Sequence, residues 1–368
     1  MEIKCAVDLL WVRPKKVGGI ESYIRNLLDG FMKIDDYFEL WLLVSKDNAD
    51  TFHKYKQDRR FNIYICDIDS ANVGKRIIWQ NLNLGRTIKE LGLNMCFEPY
   101  YCKPVFGCDG IDFVTTIHDL QALHYPEYFS KGKVAWMKFS WWNAIRTSKK
   151  VIAISKYVRE DIIKHYGSEK KVFTIYNPIV IDTTNVIGFE QVKDKYGIEQ
   201  QKYYFTVSSL LPHKNLGILL EVMKTIKNSR LDLPHKLIVS GVGGKSKGEL
   251  EKKIIEYGLV NDVIMTPFID DDERNALYKN CKAFLFPSVF EGFGMPPIEA
   301  MMFGVPVVTT RKTSLEEVTQ GKANYVDNPC CVDEWIRVMT GQLKLGVLDF
   351  DYYSNEKVAE MYLKHLKI

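Results

Sequence analysis

The sequence predicts an α/β protein of two domains, each with a parallel sheet covered by helices. The chain has 368 residues, which exceeds one ordinary core and suits two domains of α/β size. Short apolar runs alternate with segments of helical spacing, as in strand–helix–strand units. The run Tyr203–Ser208 has the pattern of a new first strand, so we expect a second domain to start there.

The first domain is predicted to end at the turn Asn177-Pro178, and it contains most of the alternating pattern. Its predicted strands are Ile3–Val7, Glu39–Val44, Phe61–Cys66, Met95–Glu98, Phe113–Ile117, Val151–Ser155 and Phe173–Tyr176. Its predicted helices are Ser22–Met32, Asn48–Gln57, Arg76–Leu91, Gly132–Lys150 and Lys156–Tyr166. We therefore predict a first domain at residues 1–178, followed by a linker with a short helix at 179–201.

The second domain is predicted at residues 202–350, and a terminal helix at 351–368. Its predicted strands are Tyr203–Ser208, Lys236–Ser240, Val263–Thr266, Ala283–Phe286 and Val305–Thr309. Its predicted helices begin near Asn215, Asp270, Ser314 and Asp333, and a closing helix covers Tyr353–Lys367.

The composition is that of a soluble globular protein. Hydrophobic residues make up 46% of the chain and charged residues 26%. No apolar run approaches the ~18 residues of a membrane-spanning helix, and Met1-Glu2-Ile3-Lys4 begins a strand rather than a signal peptide. The eight cysteines are scattered, with only Cys330-Cys331 adjacent, which fits neither a zinc site nor a disulfide framework. We expect a cytoplasmic protein with reduced thiols and no bound metal.

Positive charge is concentrated in the first half. Met1–Ile175 holds 27 Lys and Arg against 21 Asp and Glu, a formal charge of +6, whereas the whole chain carries +4. A basic face attracts anionic lipid head groups, a lipid pyrophosphate or nucleic acid, although scattered surface lysines give the same count. No recognition motif for nucleic acid accompanies the charge, so we do not expect a nucleic-acid-binding protein.

The helical stretch Gly132–Lys150 is both aromatic and basic. Its tryptophans Trp136, Trp141 and Trp142 suit either the domain core or the head-group level of a membrane. Both interpretations remain open from the sequence.

The stretch Ala283–Thr310 reads as strand, glycine-broken loop, short helix and second strand. Because the helix begins at the carboxyl end of a parallel strand, its N-terminus favours an anion, and glycines let the backbone approach a ligand closely. Glu291 stands before the loop and Glu299 lies in the first helical turn. Carboxylates there can bind neutral hydroxyls, so the stretch predicts a site for a ligand with both hydroxyls and phosphates.

Further polar residues follow other strands. The pair Gly18-Gly19 separates the first strand from the first helix, and His118-Asp119 ends a β-prone run. Asp67-x-Asp69 also follows a strand and is the alternative candidate for a metal-dependent site, although two acids at a strand end commonly form a turn.

The ten residues Glu291–Ala300, E-G-F-G-M-P-P-I-E-A, resemble the signature of glycosyltransferase family 4, E-G-F-G-x-P-x-x-E-A. The Gly-Gly loop, the His-Asp pair with Pro126-Glu127 after it, and Pro212-His213-Lys214-Asn215 are similar to other segments of that family, in the same order. Two positions depart from it. His213 replaces an arginine and could make the diphosphate contact pH-sensitive, and Ser208 stands where many members have another arginine.

The resemblance implies the GT-B fold: two Rossmann-like domains facing across a cleft, with a C-terminal helix crossing back to the first domain. It also implies a hexosyltransferase that retains anomeric configuration and needs neither a catalytic metal nor a cofactor. It makes His118, Glu291 and Lys214 catalytic. The donor-binding residues that it implies are Gly18, Gly19, His213, Phe268, Gly292, Phe293, Gly294, Met295 and Glu299.

The same resemblance suggests the partners. The first choice of donor is GDP-mannose, and the acceptor is a lipid-linked oligosaccharide in the synthesis of a cell-surface polysaccharide or O-antigen, with possible peripheral contact at the inner membrane face. A transferase of the same family that uses a UDP-sugar, a nucleotide-sugar epimerase of GT-B fold and a non-catalytic binding protein are the alternatives. An epimerase would release free nucleotide without an acceptor, and a binding protein would turn nothing over.

Overall fold

The computed structural model describes residues 3–14, 18–183, 187–229, 231–242 and 247–367. The chain forms two compact units, Met1–Val180 with Phe350–Ile368, and Ile181–Asp349. The C-terminal segment belongs to the first unit, as the resemblance to GT-B proteins implied. Residues 181–201, which we predicted to be a linker, are part of the second unit.

The first unit is built on a seven-stranded parallel sheet of order β3-β2-β1-β4-β5-β6-β7. The chain winds from β1 outward through β2 and β3, then returns to the other side of β1 at β4, so the switch point lies between β1 and β4. The strands are β1 Ile3–Asp8, β2 Phe38–Ser45, β3 Phe61–Cys66, β4 Met95–Glu98, β5 Asp112–Ile117, β6 Lys150–Ala153 and β7 Val172–Thr174.

Helices cover both faces of this sheet, as crossovers between parallel strands require. The helices are α1 Gly19–Lys33, α2 Val73–Trp79, α3 Gly85–Glu90, α4 Gln121–His124, α5 Lys131–Thr147, α6 Lys156–Tyr166 and the C-terminal α14 Asn355–Leu366.

The C-terminal helix α14 packs on α1 and completes the core of the first unit. Val358, Tyr362 and Leu366 are buried with Leu27 and Phe31 of α1. At Gly30 the two helices approach so closely that a Cβ atom would lie 2.0 Å from the carbonyl oxygen of Asn355.

The second unit repeats the plan with six parallel strands in the order β10-β9-β8-β11-β12-β13. Its strands are β8 Tyr203–Val207, β9 Lys236–Ser240, β10 Val263–Met265, β11 Ala283–Phe286, β12 Val307–Thr310 and β13 Asn324–Val326. Its helices are α7 Phe189–Tyr196, α8 Leu216–Asn228, α9 Lys247–Glu256, α10 Asp271–Asn280, α11 Met295–Met302, α12 Leu315–Val318 and α13 Val332–Thr340. Here the switch point lies between β8 and β11.

The short helix α7 of the predicted linker is anchored to the second unit by its polar residues. Both Lys195 Nζ and Tyr196 Oη donate to Glu273 Oε1 on α10, at 2.6 and 2.5 Å. These bonds explain why the segment joins the second unit rather than standing between two domains.

Two predicted helices of the first unit differ from regular α-helix. Ala49–Gln57 is a 3-10 helix. Its buried residues Ala49, Phe52 and Tyr55 are three apart, and a helix of three residues per turn keeps them on one face. Between α2 and α3, Gln80–Leu84 forms a π-helical turn, so that the helical segment runs without a break from Val73 to Glu90.

Candidate active site

The loops after β8 and β11 bring Lys214 and Glu291 together at the switch point of the second unit. Lys214 Nζ lies 2.6 Å from Glu291 Oε1, and the side chains are 19% and 12% exposed. Lys214 closes a 3-10 turn, Pro212–Lys214, and Asn215 follows in the left-handed region at φ 52°. The Asn215 amide donates to the carbonyl of Pro329 at 3.0 Å, which fixes this turn to the loop after β13. The result is a partly buried ion pair on a braced turn.

The backbone around Glu291 is held by two hydroxyl residues that sequence reasoning did not single out. The N–H of Glu291 donates to Thr313 Oγ1 at 3.0 Å. Ser314 Oγ is 3.0 Å from the carbonyl of Glu291 and 2.8 Å from that of Phe293. Thr313 and Ser314 come shortly after β12 in the chain. They lie beside the glutamate loop because β12 is the neighbour of β11 in the sheet, and the order of strands in a sheet cannot be read from local sequence.

Gly294 is the residue on which the glycine loop turns into α11. It has φ 96°, a conformation that other residues rarely adopt, and a Cβ atom there would lie 2.7 Å from Leu315 Cδ2. Of the first three helical residues, Met295, Pro296 and Pro297, only Met295 has an N–H. An anion at this helix end therefore depends on the Met295 amide and the loop backbone. Phe293 is buried, so its side chain packs inside the unit.

Glu299 belongs to a polar group formed by α10 and α11. Tyr278 Oη donates to Glu299 Oε2 at 3.0 Å. Although burial opposes it, the charge of Glu299 raises the pKa of the neighbouring Arg274 guanidinium. Glu299 is half-buried, so its carboxylate is oriented by the tyrosine and balanced by the arginine.

His213 is a buried neutral residue. Burial and the charge of Lys214 lower the pKa of His213 to about 4. Its carbonyl accepts the N–H of Val289 at 2.8 Å, which ties the β8 loop to the β11 loop. His213 therefore carries no charge at physiological pH and does not replace the arginine found in similar proteins. Because the pKa of His213 is about 4, any change of a diphosphate contact with pH through this residue would occur well below neutral pH.

Phe268, the predicted nucleobase residue, follows β10 at the same edge of the sheet. Its side chain is 79% exposed. The preceding Pro267 carbonyl faces the N–H of Gly241 at 3.4 Å, in the loop after β9. The phenyl ring is thus available for a flat ligand group.

In the first unit, Gly18 is the N-cap of α1, with φ 61°, and α1 begins at Gly19. No described atom lies within 4 Å of the position of a Gly18 Cβ, so the chain is open to a ligand on this side. Residues 15–17, just before this pair, lie outside the described residues.

His118 follows β5 and is held in one orientation. Its Nε2 is 2.9 Å from the carbonyl of Pro99, so Nε2 carries the proton and Nδ1 has a lone pair. The ring of Tyr23 on α1 packs against the imidazole in a T-shaped arrangement, with a centroid distance of 4.9 Å. Burial lowers the pKa of His118 to about 4. The ring is therefore a neutral acceptor at physiological pH. Asp119 caps the next turn by accepting the N–H of Gln121 at 2.9 Å.

The alternative metal pair is not assembled as a site in the part of the chain that the structure describes. Asp67 is exposed and pairs with Lys46. Within residues 3–14, 18–183, 187–229, 231–242 and 247–367, no group of three or more His, Cys, Asp and Glu side chains could hold a metal ion.

Helix α5 divides its aromatic residues between core and surface. Trp141 is fully buried, whereas Trp136, Phe139 and Trp142 are 38%, 40% and 45% exposed. The three exposed rings follow one another with centroid distances of 6.1 and 6.0 Å. No helix among the described residues is long and apolar enough to cross a membrane.

Comparison with known proteins gives two family matches, one for each half. Residues 17–183 match the model of Glycosyltransferase Family 4, and residues 188–339 match that of Glycosyl transferases group 1. The chain is 32% identical over 230 residues to the O-antigen chain mannosyltransferase B of Escherichia coli and 30% identical over 223 residues to the O-antigen chain mannosyltransferase RfbU of Salmonella typhimurium. Each alignment covers 60% of this chain and 58% of the relative, so little more than half of either relative is matched.

Solved structures resemble the chain over nearly its whole length. The crystal structure of Anabaena Alr3699/HepE in complex with UDP and glucose has a TM-score of 0.74 at 16% identity, with 99% of both chains covered. TarM has a TM-score of 0.71 at 14% identity and covers 100% of this chain and 99% of its own. These similarities confirm the predicted fold class.

Proposed function

We propose that this chain, which belongs to the glycosyltransferases of family 4 and group 1 and has the GT-B fold, transfers a sugar from a nucleotide-sugar to an acceptor hydroxyl with retention of configuration. The observation that carries the proposal is the ion pair of Lys214 and Glu291 beside the Gly294 turn. It sets a cation for phosphate next to a carboxylate for sugar hydroxyls.

In the second unit, Lys214 and the Met295 amide stabilise the charge that develops on the departing diphosphate. Glu291 accepts hydrogen bonds from hydroxyls of the donor sugar, and Glu299, oriented by Tyr278, accepts those of the ribose. Phe268 stacks on the nucleobase. These assignments rest on the position of each side chain at the carboxyl edge of the sheet.

The reaction exchanges one bond at the anomeric carbon for another on the same face. The bond from that carbon to the diphosphate oxygen breaks with its electron pair, the acceptor oxygen forms the new bond, and the acceptor proton passes to the leaving phosphate. A retaining hydrolase instead needs two carboxyl groups about 5 Å apart, one of them a protonated acid. Glu291 is paired with a lysine rather than with a second acid, which supports the front-face exchange.

In the first unit, His118 offers Nδ1 as an acceptor for a hydroxyl of the transferred sugar. The bond from Nε2 to Pro99 keeps this nitrogen unprotonated. Gly18 and Gly19 supply backbone amides for the diphosphate at the start of α1.

We propose mannose as the sugar and GDP as the nucleotide, because the curated relatives quoted above are O-antigen mannosyltransferases. The HepE structure, which contains UDP and glucose, keeps a UDP-sugar as the alternative. The acceptor that we propose is a lipid-linked saccharide in the synthesis of a surface polysaccharide.

Purified protein incubated with GDP-mannose and lipid-linked saccharide tests this function. We expect GDP release that depends on acceptor and mannose recovered in the lipid fraction, both abolished in Glu291→Gln. Release of free nucleotide with an altered sugar and no acceptor would instead indicate an epimerase. Binding without any turnover would leave only a nucleotide-sugar binding protein.

The surface of α5 supports peripheral contact with an anionic membrane. Trp136, Phe139 and Trp142 are exposed on a helix that also carries Lys138 and Arg146 on exposed positions. Aromatic rings with neighbouring cations suit the head-group region of a bilayer.

We expect the protein to sediment with vesicles that contain anionic lipid and to remain in solution with neutral ones. Replacing Trp136, Phe139 and Trp142 together by serine removes this binding, and high salt weakens it. Val347→Ser, which removes an exposed apolar residue of the second unit, is the control. Equal sedimentation of the triple variant and the wild type would contradict this proposal.

A further inference from the structure

The switch point of the first sheet contains two buried acids that the proposed reaction does not use. Asp8 is the last residue of β1 and Glu98 the last of β4, and both are fully buried. Val7 is paired with Phe97 in the parallel register, so the next pair is Asp8 with Glu98. Neighbouring positions in register point to the same face, and the strands are only ~4.8 Å apart. The two carboxyl groups are therefore direct neighbours.

The hydrogen bonds of these two acids are unequal. Asp8 accepts the N–H of Leu10 at 3.0 Å on Oδ1 and the amide of Gln80 at 2.5 Å on Oδ2. Glu98 is less well satisfied: neither of its oxygens makes a hydrogen bond of good geometry within the described residues, and the backbone N–H of Tyr100 only partly stabilises its charge. A buried ionised carboxylate with so few donors is strongly disfavoured.

The helix segment α2–α3 supplies the other polar groups of the cluster. Gln80 is the first residue of the π-helical turn, and Arg76 lies one turn before it with its side chain buried. The Nε of Arg76 also has no acceptor among the described groups. One arginine can balance one carboxylate, so the cluster is neutral if a single proton is added to the pair.

A proton on Glu98 accounts for these contacts. As an acid, Glu98 donates to Asp8 rather than accepting, so its shortage of donors is no longer a cost. Burial and the charge of Asp8 raise the pKa of Glu98 well above its usual range, while Arg76 and the backbone N–H of Tyr100 oppose the rise. Burial also raises the pKa of Asp8, but its bonds to Leu10 and Gln80 favour its ionised form. The favoured state is therefore a protonated Glu98 beside an ionised Asp8.

Glu98 of the acid pair adjoins, in the chain, the segment that orients His118. Glu98 is followed by Pro99, whose carbonyl accepts the Nε2 proton of the histidine. Trp11, three residues after Asp8, donates its indole N–H back to the Asp8 carbonyl at 3.0 Å, and its ring centroid lies 5.4 Å from that of Tyr100. Asp8 and Glu98 are both fully buried, so the pair is shielded from solvent.

We propose that Asp8 and Glu98 share one proton and act as positioning residues, fixing the Pro99 carbonyl that sets the orientation and tautomer of His118. The shared proton is a property of the first unit alone. Only the effect on sugar transfer rests on the proposed function.

Other titratable groups face the pair from the elements around it. The charge of Asp8 or Glu98 acts on Arg76 of the helix segment, Cys66 of β3, Cys96 of β4, and Cys102, Lys103 and Cys108 of the loop after β4. Infrared spectroscopy separates a protonated carboxyl from all of them, because its carbonyl stretch lies above the amide band.

The first test compares the wild type with Glu98→Gln by infrared spectroscopy at neutral pH. We expect a protonated-carboxyl band in the wild type that is absent in the variant. Glutamine has the shape of the protonated acid and still donates to Asp8, so Glu98→Gln folds normally. A wild-type spectrum without that band, or a band that survives in Glu98→Gln, would overturn the proposal.

The second test follows His118 by nitrogen NMR in Glu98→Gln and Glu98→Ala. We expect the Nε2-protonated tautomer in the wild type and in Glu98→Gln, and a mixture of tautomers in Glu98→Ala, where Pro99 loses its support. Transfer follows the same order: kcat falls on the order of tenfold or more in Glu98→Ala with unchanged KM for the donor. Glu98→Gln stays close to the wild type.

Equal disturbance of His118 in the two variants would refute the positioning role. If Glu98→Ala does not fold, the infrared band and the tautomer in Glu98→Gln still decide the matter. Absence of transfer in the wild type, with the band and tautomer as expected, would count against the proposed function alone.

Discussion

The ion pair of Lys214 and Glu291 places a cation beside a carboxylate, and the proposed function assigns these two charges to different groups of a nucleotide-sugar. In the free protein each side chain satisfies the other at 2.6 Å. In the proposed function, a bound diphosphate draws the ammonium of Lys214 toward phosphate and leaves the carboxylate of Glu291 to the sugar hydroxyls. Both side chains are thus already held in place before a ligand binds.

We predict that Lys214→Met weakens nucleotide-diphosphate binding by about tenfold or more, since a charge-assisted hydrogen bond contributes roughly 1.5–3 kcal/mol. Calorimetric titration measures the change. Lys279→Met, which removes an exposed lysine at the end of α10, is the control. The double variant with Glu291→Gln should regain the stability lost in Lys214→Met but not the affinity. Equal affinities of Lys214→Met and the control would remove Lys214 from the site.

The two buried histidines predict a pH dependence of stability. Burial in the folded protein lowers the pKa of His118 and of His213 to about 4, from the ordinary histidine value of 6.5. The unfolded chain therefore binds more protons in this window, and stability falls as pH falls from about 6.5 toward 4. We expect His118→Gln and His213→Gln each to reduce the drop in thermal midpoint between pH 7 and pH 5. The exposed His53→Gln is the control, and an unchanged slope in both variants would contradict the assignment.

At the scale of elements, the contact of α1 with α14 decides whether the C-terminal segment stays on the first unit. The contact depends on the missing side chain of Gly30, where a Cβ would lie 2.0 Å from the Asn355 carbonyl. The two backbones cannot keep this spacing with a larger residue.

We predict that Gly30→Ala destabilises the protein by roughly 1–3 kcal/mol or more, because overpacking forces the helices apart. Gly132→Ala is the matched control: it is helical too, and no described atom lies within 4 Å of its Cβ position. This control should be neutral or slightly stabilising. Denaturant titration distinguishes the two variants. Equal midpoints would show that α14 can shift away from α1 without loss of stability.

For the whole molecule, the candidate ligand-binding residues of each unit lie in loops at the carboxyl edge of its parallel sheet. In the second unit the loops after β8 and β11 carry Lys214 and Glu291, and in the first unit those after β1 and β5 carry Gly18 and His118. A ligand that binds these loops in the folded state would stabilise the chain by mass action.

We predict that GDP and GDP-mannose raise the thermal midpoint. At a ligand concentration of a hundred times Kd, binding adds about 2.7 kcal/mol to the free energy of unfolding. Chelation by EDTA should change neither this shift nor transfer, since the proposed charge stabilisation comes from Lys214 and backbone amides. Selective stabilisation by UDP-sugars would show that the donor is a UDP-sugar rather than GDP-mannose. A loss of activity with EDTA that added metal restores would move the site to Asp67 and Asp69.

Local sequence patterns predicted most helices and strands, because apolar runs and helical periodicity depend on residues that are close together in the chain. Phe61–Cys66, Met95–Glu98, Lys236–Ser240 and Ala283–Phe286 have the predicted bounds. The 3-10 form of Ala49–Gln57 and the π turn at Gln80 were missed, since an α-helical period differs little from either over so few residues. The three-residue strand β13 was also missed.

Short-range patterns were enough to predict the fold class, the order of the two units and the string from Glu291 to Ala300, because glycines, prolines and apolar periods act over short distances. The folded chain was needed to show that Lys214 pairs with Glu291, that Thr313 and Ser314 hold the glutamate loop, and that Asp8 lies beside Glu98. These residues meet because the order of strands in a parallel sheet differs from their order in the chain, and neighbours across a switch point are invisible to any local pattern.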